Sequence, residues 1–237
     1  IQLVLQKKAN KMVKKVSIIT VVFNGAKYID TAINSVLSQT YADIEYIVVD
    51  GGSTDGTIAI IDRYKSSITK FLSEPDQGIY DAMNKGIDMA TGEIVGILNS
   101  DDFYLSDLVI ERVVKEFDKK IDCFFCDLVY VKPNDLEKVV RYYDSSKFSP
   151  SKFAFGWMPA HPTFFVKRDA YDKYGVFRTD LKIAADFDLM VRFLYTENLT
   201  YSYINEPLIK MRVGGVSTSF NSMWLNNIES LKVCRDN

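Results

Sequence analysis

The sequence predicts an α/β fold with an open, mostly parallel sheet and helices on both faces. Between Val16 and Leu98, short runs of β-branched residues alternate with stretches of helical period, which is the pattern of consecutive βα units. The composition, 47% hydrophobic and 25% charged over 237 residues, is that of a globular chain that buries a core without disulfides or a structural metal. We therefore expect a single domain in which a second subregion follows Asp102.

Four strands and three helices are predicted in the first half. The strands are rich in branched apolar residues and end in turn residues; they cover 16–23, 44–50, 69–72 and 93–98. The helices have apolar residues at helical spacing; they cover about 26–38, 57–66 and 79–90. The second helix follows a Ser-Thr-Asp-Gly turn, whose side-chain oxygens are suited to cap its N-terminus.

The pattern changes after Asp102. The elements predicted there are a helix over 105–117, a strand over 121–131, a helix over 184–195, short strands over 199–204 and 208–212, and a final helix over 221–233. Residues 132–162 are predicted to be irregular and are rich in aromatic side chains. These aromatics are typical either of a core contribution or of a recognition surface. The predicted organisation is a tail (1–15), a main domain (16–217, divided after 102) and a C-terminal helix (218–237).

The charge balance argues against a nucleic-acid-binding protein. The chain has 29 Lys and Arg residues against 31 Asp and Glu, a net charge of −2, whereas nucleic-acid proteins usually have a strongly basic face. The basic tail is interpreted as solvated, although attraction to anionic lipid is an alternative; its lysines are Lys7, Lys8, Lys11, Lys14 and Lys15.

No apolar run approaches the ~18 residues that span a bilayer, so we expect a cytoplasmic protein. Peripheral contact with the inner face of the plasma membrane is compatible with this expectation, as is a homodimer. The C-terminal helix is amphipathic around Met223, Trp224, Ile228 and Leu231, and we expect it to close the core, with docking on lipid or on a partner as the alternatives.

The cysteines do not form a metal-binding pattern. Cys123 and Cys126 lie in a predicted strand, while Cys234 and the single histidine, His161, are far away in sequence. Zinc needs two further ligands beyond such a pair. We therefore predict that Cys123 and Cys126 are buried thiols.

Polar residues follow each of the first four strands, where open α/β sheets bind their ligands. These segments are Phe23-Asn24-Gly25, Asp50-Gly51-Gly52-Ser53, Glu74-Pro75-Asp76-Gln77-Gly78 and Asn99-Ser100-Asp101-Asp102. Each alone is typical of a turn, but the four together predict a ligand site. Asp101 and Asp102 repel one another unless a cation or a proton intervenes, which predicts a Mg²⁺ or Mn²⁺ site. The alternative is that one of these acids caps the next helix.

Two common nucleotide-binding motifs are absent from the sequence. It has neither the Gly-x-x-x-x-Gly-Lys-Ser loop nor a Gly-x-Gly-x-x-Gly motif, which argues against an ATPase and against a dinucleotide-dependent enzyme.

Taken in order along the chain, the motifs resemble those of the family 2 glycosyltransferases with the GT-A fold, especially those of bacterial exopolysaccharide, capsule or lipopolysaccharide synthesis. The resemblance covers about 16–217. The matching segments are Val16 to Asn24, Ile47 to Thr57, the Gly78, Ala82, Asn84 and Gly86 positions of one helix, Asn99 to Asp102, Gly156 to His161, Ala184 to Asp188, and Arg212 to Ser217. Two departures are that Gly51 replaces the second Asp of Asp-Asp-Gly-Ser and that Asn99 replaces the first acid of Asp-x-Asp.

The resemblance implies a role for each site residue. A nucleotide-sugar donor, expected to be UDP-linked, would be held by Thr20, Phe23, Asn24, Asp50, Gly78, Asn84, Asn99, Ser100 and Arg212. Asp101 and Asp102 would bind Mn²⁺ or Mg²⁺ against the diphosphate, whose developing charge the cation neutralises. Trp157 and His161 would contact the acceptor, a glycan or lipid-linked sugar. For Trp157 a place in the core is the alternative, and for Arg212 an ordinary surface position.

Asp186 would be the general base of a single displacement, which inverts the configuration of the transferred sugar. The alternative for Asp186 is an N-cap of the following helix. The predicted function is therefore a metal-dependent, inverting glycosyltransferase of cell-surface polysaccharide synthesis. The alternatives are a non-catalytic nucleotide-sugar-binding module, a sugar-phosphate nucleotidyltransferase and, more weakly supported, a phosphoacceptor domain.

Overall fold

The structure is a computed structural model that describes residues 14–214 and 220–237, with side chains described outside 220–224. In the described part of the chain, one sheet contains nine strands in the order β3-β2-β1-β4-β8-β6-β9-β5, and β7 also pairs with β6. The strands are β1 (Val16–Val22), β2 (Ile44–Asp50), β3 (Lys70–Ser73), β4 (Ile94–Ile97), β5 (Phe103–Tyr104), β6 (Cys123–Lys132), β7 (Asp135–Tyr143), β8 (Phe165–Lys167) and β9 (Tyr201–Arg212).

Most of these strands run in the same direction. β1, β2, β3 and β4 pair in parallel, as do β6 and β9. The short strand β8 lies antiparallel between β4 and β6, so the two parallel groups share one direction, while β5 and β7 run against it. The prediction of an open, mostly parallel sheet is confirmed.

Helices cover both faces of the sheet, as predicted. They are α1 (Ile29–Leu37), α2 (Thr57–Asp62), α3 (Ile79–Met89), α4 (Val109–Phe117), α5 (Arg168–Tyr174), α6 (Ala185–Val191) and α7 (Phe220–Asp236). Two apolar clusters result, one between the sheet and α1, α2 and α4, the other between the sheet and α3, α5 and α6. β1 contributes to both because successive side chains of a strand point to opposite faces: Ile18 packs in the first cluster and Ile19 in the second.

The α3 helix lies very close to the sheet. A Cβ placed on Gly86 would come within 2.4 Å of the Ile19 side chain, so only glycine allows this approach at that position. The start of α3 is therefore held near the carboxyl end of β1, which brings the residues around Gly78 toward the strand-end loops.

The second half departs from the sequence prediction in several places. β5, β8 and α5 have no predicted counterpart, and two further differences concern β7 and β9. Residues 135–143, predicted to be irregular, form β7, whose side chains are mostly exposed; a strand with this exposure lacks the apolar alternation that identifies strands in a sequence. The two short strands predicted around Pro207 are one strand, β9, because a bulge opposite Asp127 accommodates the proline.

The cysteines and the chain ends have distinct environments. Cys123 and Cys126 are buried free thiols, as predicted, and Cys234 is exposed on α7. Of the predicted basic tail, 1–13 lie outside the described residues, while Lys14 pairs with Asp118 at 2.6 Å. Among the described helices, none combines the length and the apolar character that crossing a membrane requires. The cytoplasmic location and the membrane contact stay predictions.

Candidate active site

The loop after β1 is tied to the loop after β2. The backbone N–H of Asn24 donates to Ser53 Oγ at 2.7 Å, and Asn24 Oδ1 accepts the N–H of Thr54 at 2.9 Å. Asn24 itself has a left-handed backbone with φ +50°, a conformation that asparagine tolerates better than most residues. Its side chain therefore holds the mouth of the site together, and the neighbouring Phe23 ring is left 63% exposed there.

Asp50, at the end of β2, is fully buried. Its Oδ2 accepts the N–H groups of Gly52 and Ser53 at 3.1 and 3.0 Å and the hydroxyl of Ser73 at 2.8 Å. Its Oδ1 is buried and has no hydrogen-bond partner among the described residues. Because a buried, unpaired acceptor is costly, this oxygen is suited to a donor group brought by a ligand, as predicted for a nucleotide.

Thr20 lies in the core rather than at the mouth of the site. It is fully buried, and its hydroxyl accepts a hydrogen bond from Tyr46 at 3.1 Å. A direct contact with a nucleotide stays a prediction that this geometry does not favour. Beside Gly51, in contrast, Asp76 fills the space of a side chain, since a Cβ on Gly51 would lie 2.2 Å from Asp76 Oδ2. A carboxylate from the loop after β3 therefore lies next to Gly51, the position at which this chain lacks the second Asp of the family motif.

Gly78 and Asn84 shape the region around α3 in different ways. Gly78 immediately precedes α3 with φ +125°, which favours glycine, and it lines a cleft of about 290 Å³ between the start of α3 and 179–182. Asn84 forms a two-way clamp with Phe177: its Nδ2 donates to the carbonyl at 2.8 Å, and its Oδ1 accepts the N–H at 2.9 Å. Asn84 therefore fixes a distant loop, and its predicted contact with the nucleotide stays a prediction.

The turn after β4 holds two oxygens without partners. Asn99 Nδ2 donates to Asp102 Oδ2 at 3.2 Å, while Asn99 Oδ1 and Asp102 Oδ1 are buried without a hydrogen-bond partner in the described part of the chain. Burial raises the pKa of the fully buried Asp102 well above its ordinary value, and the nearby charge of Asp101 adds to the rise. Ser100 lies next to Gly25, 3.2 Å from where a Cβ would stand, so the turn adjoins the loop after β1.

The donor set of this turn fits a hard divalent cation. Carboxylate and amide oxygens are ligands of Mg²⁺ and Mn²⁺, and both Asp102 Oδ1 and Asn99 Oδ1 are unsatisfied. No group of three or more His, Cys, Asp or Glu residues suited to a metal occurs among the described residues. A cation here would therefore need further oxygens from a ligand, as a diphosphate provides.

Arg212, at the end of β9, is a buried part of this site and not a surface arginine. It is 3% exposed, and its guanidinium lies 4.7 Å from the Tyr28 ring centroid and 4.8 Å from that of Phe103. Its Nη1 donates to the backbone carbonyl of Asp101. Burial lowers the pKa of Arg212 from its ordinary value, and the Asp101 charge opposes this. The family motif pointed to Arg212, but it did not point to Tyr28 and Phe103, whose rings hold the guanidinium.

Asp186 lies in the first turn of α6, after the N-cap residue Ala184. Its Oδ1 accepts the N–H of Phe187 at 2.8 Å and faces the Tyr80 hydroxyl at 3.3 Å, and that hydroxyl also donates to the Ile183 carbonyl. Burial raises the pKa of Asp186, which the proximity of His161 offsets only in part. Asp186 is therefore not the N-cap residue. The site residues predicted from the sequence did not include Tyr80, although it lies within the motif that begins at Gly78.

His161 and Trp157, the two predicted acceptor residues, have different surroundings. His161 is 9% exposed and packs edge-on against Phe177, with ring centroids 5.6 Å apart. Burial lowers the pKa of His161, while the Asp186 charge acts in the opposite direction. Trp157 is half-buried and stacks on Tyr143 and Phe148, at 6.2 and 5.8 Å. Trp157 thus belongs to an aromatic cluster, and its contact with an acceptor stays a prediction.

The sequence profile described as glycosyl transferase family 2 matches residues 17–175. The chain belongs to glycosyl transferase family 2. An uncharacterized glycosyltransferase of Rickettsia typhi is 32% identical over 94% of this chain and 70% of its own length. Chondroitin synthase of Pasteurella multocida is 29% identical over 88% of this chain, which spans only 22% of that protein.

Solved glycosyltransferase structures share the fold. S. aureus TarS in complex with UDP-GlcNAc superposes with a TM-score of 0.71 at 20% identity, over 91% of this chain and 66% of the TarS chain. The mannosyltransferase PcManGT of Pyrobaculum calidifontis, in complex with GDP-Man and Mn²⁺, gives a TM-score of 0.67 at 21% identity, over 96% of this chain and 66% of its own. The chain thus spans just under two thirds of both structures, and the GT-A fold is confirmed.

Proposed function

We propose that this glycosyltransferase moves a sugar from a UDP-sugar to an acceptor hydroxyl with inversion of configuration. The observation that carries the proposal is that unpaired buried oxygens follow β2 and β4, while a half-buried carboxylate, Asp186, lies on a different element, in the first turn of α6. A single displacement requires both functions: groups that bind the donor, and a base that takes the proton from the acceptor hydroxyl.

The donor end is suited to a nucleoside diphosphate. Asp50 Oδ1 is an acceptor for a hydroxyl or N–H of the nucleoside, and the exposed Phe23 ring offers a flat face beside it. Asp101, Asp102 and the Asn99 amide would hold Mn²⁺ or Mg²⁺, which supplies charge neutralisation at the departing diphosphate. Arg212 fixes the Asp101 backbone and brings a buried positive charge to the same end.

Asp186 would take the proton from the acceptor hydroxyl. Its raised pKa makes it a stronger base than an exposed aspartate, and the Phe187 N–H and Tyr80 hydroxyl orient one oxygen. The other oxygen can then face the acceptor. His161 and the aromatic cluster of Tyr143, Phe148 and Trp157 adjoin this place and would form the acceptor surface.

The substrates are proposed by similarity. TarS was solved with UDP-GlcNAc, PcManGT with GDP-Man and Mn²⁺, and the Pasteurella relative is a chondroitin synthase. A UDP-linked donor and a growing glycan or lipid-linked sugar as acceptor, within cell-surface polysaccharide synthesis, are consistent with these relatives. A GDP-sugar is the alternative donor, and a binding experiment must distinguish it from a UDP-sugar.

Calorimetric titration of UDP and GDP, each with and without Mn²⁺, tests the donor site. We expect UDP-selective, Mn²⁺-dependent binding to the wild type, its loss in Asp102→Ala, and its retention in Asp107→Ala, which removes an exposed carboxylate from the segment between β5 and α4. Binding of neither nucleotide under any condition would contradict the proposal. Binding that persists unchanged in Asp102→Ala would remove the metal role from this turn.

A further inference from the structure

Glu229, on the C-terminal helix α7, binds the segment that leads into Asp186. The side chain is only 8% exposed. Its carboxylate accepts the backbone N–H groups of three consecutive residues: Lys182 at 3.0 Å, Ile183 at 2.9 Å and Ala184 at 3.0 Å. A single carboxylate thus satisfies the donors at the entrance to α6 from a helix 45 residues away.

These donors otherwise have no local partner. Lys182 and Ile183 precede α6 and Ala184 is its N-cap residue, so none of the three has an acceptor within the helix. The side chains of Ile183 and Ala184 carry no acceptor either. The carboxylates nearest in sequence are Asp180, which pairs with Arg178 and Lys232, and Asp186, whose Oδ1 already accepts the Phe187 N–H.

The Ile183 peptide also connects Glu229 to the base. Its N–H donates to Glu229, and its carbonyl accepts the Tyr80 hydroxyl, which lies 3.3 Å from Asp186 Oδ1. The position of this peptide therefore sets where Tyr80 meets the base. Two ion pairs keep α7 in place beside it: Arg178 with Asp236 at 2.8 Å and Lys232 with Asp180 at 2.9 Å.

We propose that Glu229 is a positioning residue for the reaction: by binding the N–H groups of 182–184 from α7, it leaves the second oxygen of Asp186 free to act on the acceptor. The proposal rests on the assignment of Asp186 as the general base. It makes the C-terminal helix a part of the catalytic apparatus.

The ionisable groups around Asp186 determine the expected pH effect. They are Tyr80 on α3, His161 in the turn 161–163, Tyr143 on β7 and Glu229 on α7. Replacing Glu229 by glutamine keeps one acceptor oxygen but removes the negative charge that binds the N–H groups of 182–184. These groups are then more available to the Asp186 carboxylate, and a hydrogen bond from an N–H favours its ionised form, so the acidic limb of the rate profile should move to lower pH while kcat falls.

The test compares Glu229→Gln with Asn227→Ala, a change of an exposed side chain on the same helix. In transfer assays, we expect Glu229→Gln to lower kcat by about ten- to a hundredfold, to shift the acidic limb to lower pH and to leave the calorimetric Kd for the donor unchanged. Asn227→Ala should leave kcat and the pH profile as in the wild type. A wild-type kcat and pH profile in Glu229→Gln would overturn the proposal.

Two further variants keep the outcome interpretable. If Glu229→Gln does not fold, Glu229→Asp replaces it, because the shorter acid keeps the charge but withdraws from the Ala184 N–H; a lowered kcat with unchanged donor Kd supports the proposal, and a wild-type kcat overturns it. Asp186→Asn is assayed in parallel. If Asp186→Asn keeps its turnover, the proposed function fails first; if only the Glu229 variants behave as the wild type, the positioning role alone fails.

Discussion

The proposed donor end and the proposed catalytic end of the site are built in different ways. At the donor end, each side chain follows a strand of the parallel group directly, and neighbouring loops bind one another, as Asn24 binds Ser53 and Asp50 binds Ser73. At the catalytic end, Asp186 depends on α3 through Tyr80 and on α7 through Glu229. Sheet topology alone therefore brings the proposed donor residues together, whereas the proposed catalytic carboxylate depends on the packing of elements far apart in sequence.

The strongest test of this difference uses two aspartates of α6. Asp186 is assigned to chemistry, while Asp188 is 1% exposed and lies 3.1 Å from Arg192 and 3.5 Å from Arg178. Asp186→Asn should lower kcat by about 10²- to 10⁴-fold with an unchanged donor Kd. Asp188→Asn should instead lower the free energy of unfolding by about 1 to 3 kcal/mol, because the buried carboxylate accepts hydrogen bonds from Arg192 and Arg178 that an amide replaces only in part.

Initial rates, calorimetry and urea unfolding measure the two effects separately. If Asp186→Asn turned over at the wild-type rate, or if Asp188→Asn lost rate without losing stability, the assignment of the two carboxylates would be wrong.

The opposite end of the sheet should affect stability without affecting the site. Glu45 is 2% exposed; burial alone would raise its pKa, but hydrogen bonds from Ser17, Thr91 and Lys70 outweigh this and hold the pKa at about 2. Since the folded pKa lies below the ordinary value of 4.5, the stabilisation is complete above that pH and is lost as the pH falls toward 2. The expected loss is roughly 3 kcal/mol.

Urea unfolding between pH 2 and pH 6 measures this loss. Glu45→Gln should lack that part of the pH dependence and should bind UDP at neutral pH as the wild type does. An identical pH dependence in the two proteins would show that Glu45 is not the group responsible.

The smallest effect is expected at Asn84. The family resemblance assigns this residue to donor binding, whereas its hydrogen bonds indicate a structural role. Asn84→Ala removes both hydrogen bonds to Phe177 and should cost about 1 to 3 kcal/mol of unfolding free energy, with the donor Kd unchanged. The exposed Asn226→Ala serves as the control for a simple loss of an amide. A tenfold higher donor Kd in Asn84→Ala would show instead that Asn84 takes part in donor binding.

Most of the first half could be predicted from the sequence because its signals are local. Buried parallel strands are continuous apolar runs, and the polar residues that end them mark the ligand edge. The positions of Asp50, Asn99 and Asp102 follow from that pattern together with the order of the strands. Only the family motif, and not the spacing, pointed to Asp186 and Arg212.

The remaining features depend on contacts that a sequence pattern does not encode. β7 is an exposed strand with few buried side chains, so neither its composition nor its period identifies it. Arg212 looks like a surface residue until Tyr28 and Phe103 are placed on either side of it. Glu229 lies in a polar stretch of a C-terminal helix, and only the packing of α7 against 182–184 shows what its carboxylate binds.

The exposed cysteine gives experimental access to that helix. Burial raises the pKa of Cys126 to about 12 and that of Cys123 well above its ordinary value, and a thiol reacts as its thiolate. Cys234, in contrast, is exposed on α7, five positions after Glu229. A maleimide fluorophore at neutral pH should therefore label the native protein at this position alone, so that its emission reports, without further mutagenesis, whether the C-terminal helix is docked or released during turnover.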